Sequence, residues 1–255
     1  MTISLLLLLM PAAALAHEAA AQASAADAIP ALAAGGALAG AAIIYLRALQ
    51  RGAPLSRRQA GAFALGWLAL AVSVASPLER AVAESFALHM GQHELLMVVA
   101  PPLLILGHPY AALGAVAPRA ALRLAAWPLR ISPLAAWLLH AAALWVWHVP
   151  RLFDAALTSS WVHAAQHASF FFSALLFWWT VFRRVHTGMA VMLVLTTLIH
   201  TGALAALLTF APHPFYRDTG LVEQQLGGLI MWVPAGYAML LAGLLAFDRL
   251  LEKHA

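Results

Sequence analysis

The chain has no cysteine, which excludes disulfides, thiolate metal sites and thiol redox chemistry. Charge is scarce as well. Asp, Glu, Lys and Arg make up 9% of the 255 residues against 64% hydrophobic, and the mean hydropathy is +0.85. So few charges cannot cover a soluble surface, so the sequence describes a polytopic membrane protein whose main surroundings are the lipid bilayer. The net charge of +4 then serves topology and does not point to nucleic acid. There is no activated serine and no pair of carboxylates within a span, so enzymatic catalysis is not expected. What the chain has in excess is histidine, twelve residues against ten acidic ones.

Residues 1–16, MTISLLLLLMPAAALA, carry an apolar run too short to span and end in the small-residue pattern Ala14-Leu15-Ala16. They read as a secretory signal peptide, although no Lys or Arg precedes the apolar run. Cleavage after Ala16 would expose His17, whose amine and imidazole together could chelate copper. Residues 17–28 read as a short exposed tail, 29–247 as a seven-helix transmembrane domain and 248–255 as a cytoplasmic tail. The seven spans, of roughly 20 apolar residues each, fall near 29–49, 60–77, 86–106, 132–149, 161–182, 189–211 and 225–247. Pro101-Pro102 is expected to bend or end the third span.

Basic residues set the orientation. With the N-terminus outside, Arg47, Arg51, Arg57, Arg58, Arg119, Arg123, Arg130, Arg183, Arg184, Arg249 and Lys253 fall inside. Arg80, Arg151 and Arg217 fall outside, so eleven of the fourteen basic residues are cytoplasmic and the C-terminus is inside.

That topology gathers histidines at the outer end. His89 and His93 open the third span and His163 and His167 the fifth, each pair at i, i+4 and therefore on one helical face. His148 closes the fourth span, and His213 lies in the loop after the sixth. His140 and His200 sit deeper, His140 about 12 Å inward of His148 at the helical rise. His108 and His186 lie toward the cytoplasmic side and read as interfacial, and His254 as solvated. Ionisable groups inside a membrane are costly and default to function, and two helices offering histidine pairs at one depth could close around a metal. The bland reading of any one of these histidines is a hydrogen-bonded structural residue. Neutral imidazole suits copper, zinc, iron and nickel, whereas a thioether selects Cu(I). Met90 and Met97 beside the first pair therefore favour copper, although methionine at such positions is commonly core packing. Glu94 and Glu223 either ligate or accept hydrogen bonds from ligating histidines.

These residues resemble the CtaG-type family of cytochrome c oxidase assembly factors. The likeness starts at His89-Met90-Gly91-Gln92-His93 and runs into Ala100-Pro101-Pro102-Leu103-Leu104 and Gly107. It continues at Trp147-His148-Val149-Pro150 with Asp154-Ala155-Ala156-Leu157, and at His163 and His167 ahead of Ser169-Phe170 and Phe177-Trp178-Trp179. The last block is Gln224-Gln225-Leu226-Gly227-Gly228 with Ile230-Met231-Trp232-Val233-Pro234. Two residues depart from the pattern: Glu94 stands where an apolar residue is expected, and Glu223 where aspartate is more usual. The resemblance implies a multi-pass plasma-membrane protein that helps to build a haem–copper oxidase, by supplying copper.

The resulting expectation is an all-α, seven-span protein binding copper, as Cu(I), near the outer face. His89, His93, His163 and His167 would hold it, with His148 and His213 at the entrance and Met90 and Met97 as transient soft ligands. Its partners would be cytochrome c oxidase subunits and an upstream copper donor. One alternative is a membrane electron carrier with haem b ligated by two histidines, His140 and His200 or a mixed pair with His93. Another is a membrane copper transporter.

Overall fold

The computed structural model describes residues 25–75, 82, 85–126 and 128–252, and among these there is no strand. Residues 1–24, Arg80, Lys253 and His254 lie outside the described residues, and with them the expected signal peptide and the His17 chelate. We number the helices α1 (Ala25–Gln50), α2 (Arg57–Ala75), α3 (Phe86–Leu106), α4 (Pro109–Val116) and α5 (Pro118–Ala126). A 3-10 turn, Pro128–Arg130, precedes α6 (Pro133–Trp147) and α7 (Pro150–Thr158). The chain continues with α8 (Ser160–Arg183), α9 (Thr187–Thr209) and α10 (Leu221–Glu252). Helix α1 starts at Ala25, within the stretch expected to be tail, and α10 runs on to Glu252 through the stretch expected to be the other tail.

Local chemistry sets these boundaries. Proline stands first in α4 through α7, where its missing N–H costs nothing. Side chains of Ser85, Ser132, Ser159 and His186 accept from the backbone N–H three residues on, capping α3, α6, α8 and α9.

Among the described residues four helices are long and apolar enough to cross a membrane: Ala28–Gln50, Arg57–Ala75, Thr187–Thr209 and Leu221–Leu244. The number rises to six if two bent helix pairs each make one span. One pair is α3 with α4, bent by 53°; the other is α5 and its 3-10 turn with α6. The expected fifth span, α8, is a single helix of 24 residues. His163, Gln166, His167, Ser169 and Ser173 lower its hydropathy, and it is not among the four.

Helix α3 is the centre of the bundle, packed against α2, α8 and α10. Glycines permit close crossings of α2 on α3 and of α10 on α9. A Cβ on Gly66 of α2 would stand 2.8 Å from the Leu104 nitrogen, and one on Gly228 of α10 would stand 2.8 Å from the Thr209 nitrogen. The proline pair does not end α3. Leu95–Val99 forms a π-turn, with the Ala100 N–H reaching back to the Leu95 carbonyl, and the helix then continues through both prolines to Leu106. Pro101 has no N–H for the Met97 carbonyl, and the fully buried Trp178 of α8 supplies one instead, Nε1 to Met97 O at 2.9 Å. The bend falls after Leu106, at Gly107 and His108, where His108 adopts a left-handed φ of 54°. Tyr45 of α1 stacks on Phe63 at 3.7 Å and donates its hydroxyl to the Gly107 carbonyl at 2.8 Å, holding that elbow.

Candidate metal centre

The start of α3 is fixed from α10. Glu223 Oε2 accepts from Ser85 Oγ at 2.8 Å and from the Ala87 N–H at 3.2 Å, placing a carboxylate at a helix N-terminus. One turn on, His89 and His93 share the face turned to α8, their ring centroids 4.5 Å apart. Across from them α8 presents His163 and His167, 4.0 Å apart. The four rings interlock: His89 lies 5.3 Å from His163 and 6.2 Å from His167, and His93 lies 5.6 Å from His167. One nitrogen from each of His89, His163 and His167 falls within 4.8 Å of the other two, close enough for all three to bond one metal ion.

A fifth ring comes from the end of α6. The chain turns at His148-Val149, and the short α7 folds back over the cluster. This puts His148 6.1 Å from His93 and within the group expected to lie beyond it. Its Nδ1 is held by the Leu144 carbonyl at 2.7 Å, which fixes the tautomer and leaves the Nε2 lone pair free. Phe153 of α7 packs against His89 at 5.2 Å, and Phe170 of α8 against His93 at 4.7 Å. Tyr216 donates its hydroxyl to the His148 carbonyl at 3.1 Å and lies 4.4 Å from Phe153 and 5.0 Å from Phe86. Burial, with Asp154 nearby, raises the Tyr216 pKa well above its ordinary value, so the hydroxyl stays a donor. Gln224 and Gln225 pin the loop carrying Tyr216, by bonds to the Phe215 N–H and the Ala211 carbonyl.

Burial and bonding here are mismatched. His89, His93, His148 and His167 are at most 8% exposed, and His163 is half-buried. Yet Nε2 of all five rings, and Nδ1 of His93 too, are enclosed without a hydrogen-bond partner. A buried polar atom left unpaired costs about 1–3 kcal/mol. Five rings with such atoms, gathered between α3, α8 and the end of α6, are tolerable if they meet a ligand, and each neutral imidazole offers one lone-pair nitrogen to a late transition metal.

The remaining candidates lie elsewhere. His140 stacks on Phe177 with Nδ1 3.4 Å from Ser173 Oγ, and His200 accepts from Trp145 Nε1 at 3.4 Å against the Trp137 ring. His213 is exposed and touches Phe215. Met90 sits in the apolar core, its Cγ facing the backbone of Gly227, and Met97 belongs to the same core. The π-turn after Glu94 shifts Met97 from the place that regular helical spacing would give it. Glu94 is buried with Oε2 unpartnered. Phe153, Phe170 and Tyr216 were not readable as site residues; the one signal was the turn residue Pro150 followed by the amphipathic Arg151–Thr158.

The sequence profile of the cytochrome c oxidase caa3 assembly factor family (Caa3_CtaG) matches residues 41–253. The chain belongs to this family. No curated protein and no solved structure matches it. The match spans every element that builds the histidine cluster, from α3 to α10, so this caa3 assembly factor carries the cluster inside its family domain. Membership and the apolar helices together make it a multi-pass membrane protein of cytochrome c oxidase assembly.

Proposed function

We propose that this assembly factor binds copper as Cu(I) between α3 and α8 and helps to deliver it to a haem–copper oxidase. The observation that carries the reading is the set of six enclosed, unpartnered imidazole nitrogens on His89, His93, His148, His163 and His167. A cysteine-free set of neutral nitrogens holds copper without the charge of thiolates, and delivery needs such exchangeable ligation. The copper is cargo, so the protein needs no catalytic residue of its own.

The same reading makes α8 a seventh span: at about 1.5 Å per residue its length exceeds a hydrocarbon core of about 30 Å, and its polar residues face other helices, His163 and His167 turning to α3 and Ser169 and Ser173 to α6. On this reading the N-terminus is outside, the C-terminus inside and the histidines near the outer face of the plasma membrane, an orientation supported by the lopsided distribution of basic residues. There the partners are oxidase subunits and an upstream copper donor.

Metal and haem analysis of detergent-purified protein tests this. We expect about one equivalent of copper after cuprous loading, lost in the His89→Ala/His167→Ala double variant. Iron with a haem spectrum would replace the reading by an electron carrier. No metal uptake at all would leave the cluster as structure.

A further inference from the structure

The five imidazoles form a row. Ring contacts run from His163 to His89 and His167, from both of these to His93, and from His93 to His148. Among the described residues, His163 and His148 have no contact with one another and mark the two ends. A four-coordinate ion cannot bond five rings, and the group whose donor atoms lie close enough to share an ion, His89, His163 and His167, includes neither His93 nor His148.

Resting on the copper reading above, we propose that one cuprous ion occupies two stations in turn. The first is the three-imidazole group His89, His163 and His167. The second is the pair His93 and His148, from which the ion leaves for its acceptor.

The second station is a built site. His93 is fully buried with both ring nitrogens unpartnered, and His148 is 5% exposed with Nε2 unpartnered. The Leu144 carbonyl orients His148, as an outer-shell acceptor does for a ligating histidine. Their centroids are 6.1 Å apart. Two metal–nitrogen bonds of about 2 Å, in line between two rings, place the centroids roughly 6 Å apart. Phe153 and Phe170 flank His148 at 6.5 and 6.2 Å. They are fully buried aromatic walls beside the pair.

Transfer between the stations is ligand exchange alone. Bonds from copper to His163, His89 and His167 break as bonds to His93 and His148 form; copper stays cuprous, and no electron or proton moves. Direction follows from exposure. His163, at the first end, is half-buried and the most exposed of the five rings, so metal arrives there. His148, at the other, sits at the α6–α7 corner beside Val149, 47% exposed, and the exposed Arg151, where an acceptor could approach.

The test measures copper loss from cuprous-loaded, detergent-purified protein to excess bathocuproine disulfonate, with X-ray absorption of the loaded samples. Wild type should hold one equivalent. His148→Ala should keep that equivalent in a three-coordinate site but release it about tenfold more slowly, because the station from which the ion leaves is gone, a loss of transfer activity of the size that removing one metal-site partner produces. Added imidazole should restore the rate, and His148→Asn, which keeps the polar bulk without a metal-binding nitrogen, should behave as His148→Ala does. Unchanged release in both variants, or two equivalents in wild type, would overturn the two stations while leaving copper binding standing. Wild type that takes up no copper would remove both.

Discussion

The two ends of the bundle treat histidine and arginine in opposite ways. Around α4, the 3-10 turn and the C-terminus of α8, polar groups are spent on backbone. Arg184 donates to the carbonyls of Pro128, Leu129 and Ile131. Arg183 meets the Ile105 carbonyl and, at 2.5 Å, the His108 ring, and His186 caps α9. At the opposite end the backbone is held by other residues, Glu223, Tyr216, Gln224 and Gln225, and each of the five histidines keeps an enclosed ring nitrogen without a partner. A histidine that only bonds the backbone is scaffold. A histidine with an enclosed nitrogen left over, while its neighbours do the holding, is reserved for something that arrives.

Substitutions at each end sharpen this contrast. The largest effect is expected for His89→Ala/His167→Ala, which should weaken copper binding roughly a hundredfold or more, while His108→Ala/His186→Ala leaves it unchanged; competition with a cuprous chelator measures both. Next is Arg184→Ala. Freeing three carbonyls should cost about 1–3 kcal/mol, seen as a fall in Tm of the detergent-solubilised protein with copper stoichiometry intact. A variant that lost copper but kept its Tm would erase the distinction between the ends. Tyr216→Phe removes one hydrogen bond, about 1 kcal/mol, and by loosening the corner at His148 should speed copper exchange a few-fold with little change in affinity. The smallest effect is for Glu223→Gln, which keeps the hydrogen-bonding shape but removes the charge at the α3 N-terminus. It should cost about 0.3–1 kcal/mol of stability, with copper uptake preserved.

Much of this was legible in the chain because it depends on short-range periodicity. The i, i+4 spacing of His89 with His93 and of His163 with His167 fixes each pair on one face, and the apolar runs fix the helices. What could not be read depends on a turn or on tertiary packing. His148 was assigned to the entrance because the fold-back of α7 at Pro150 has no signal in hydropathy. Met97 was offered as a soft ligand beside the first histidine pair because spacing presumes a regular helix, and the π-turn breaks that presumption. Glu223 was weighed as a ligand or a ligand's partner, whereas it caps α3 from another helix. The proline pair was expected to bend or end α3, and the helix continues through it with Trp178 supplying a donor from outside.

That indole bond has a consequence for the site it does not touch. It ties α8 to α3 at a single register, and those helices carry the two facing histidine pairs. A slip of one helical turn, about 5.4 Å, would carry His163 past His89 and dismantle the cluster without altering any ligand. The spacing of the donors is therefore gauged from Trp178, eleven residues and about 16 Å along the helix from His167. Adjustment of that distant contact offers a way to retune how tightly the protein holds its cargo while every imidazole stays in place.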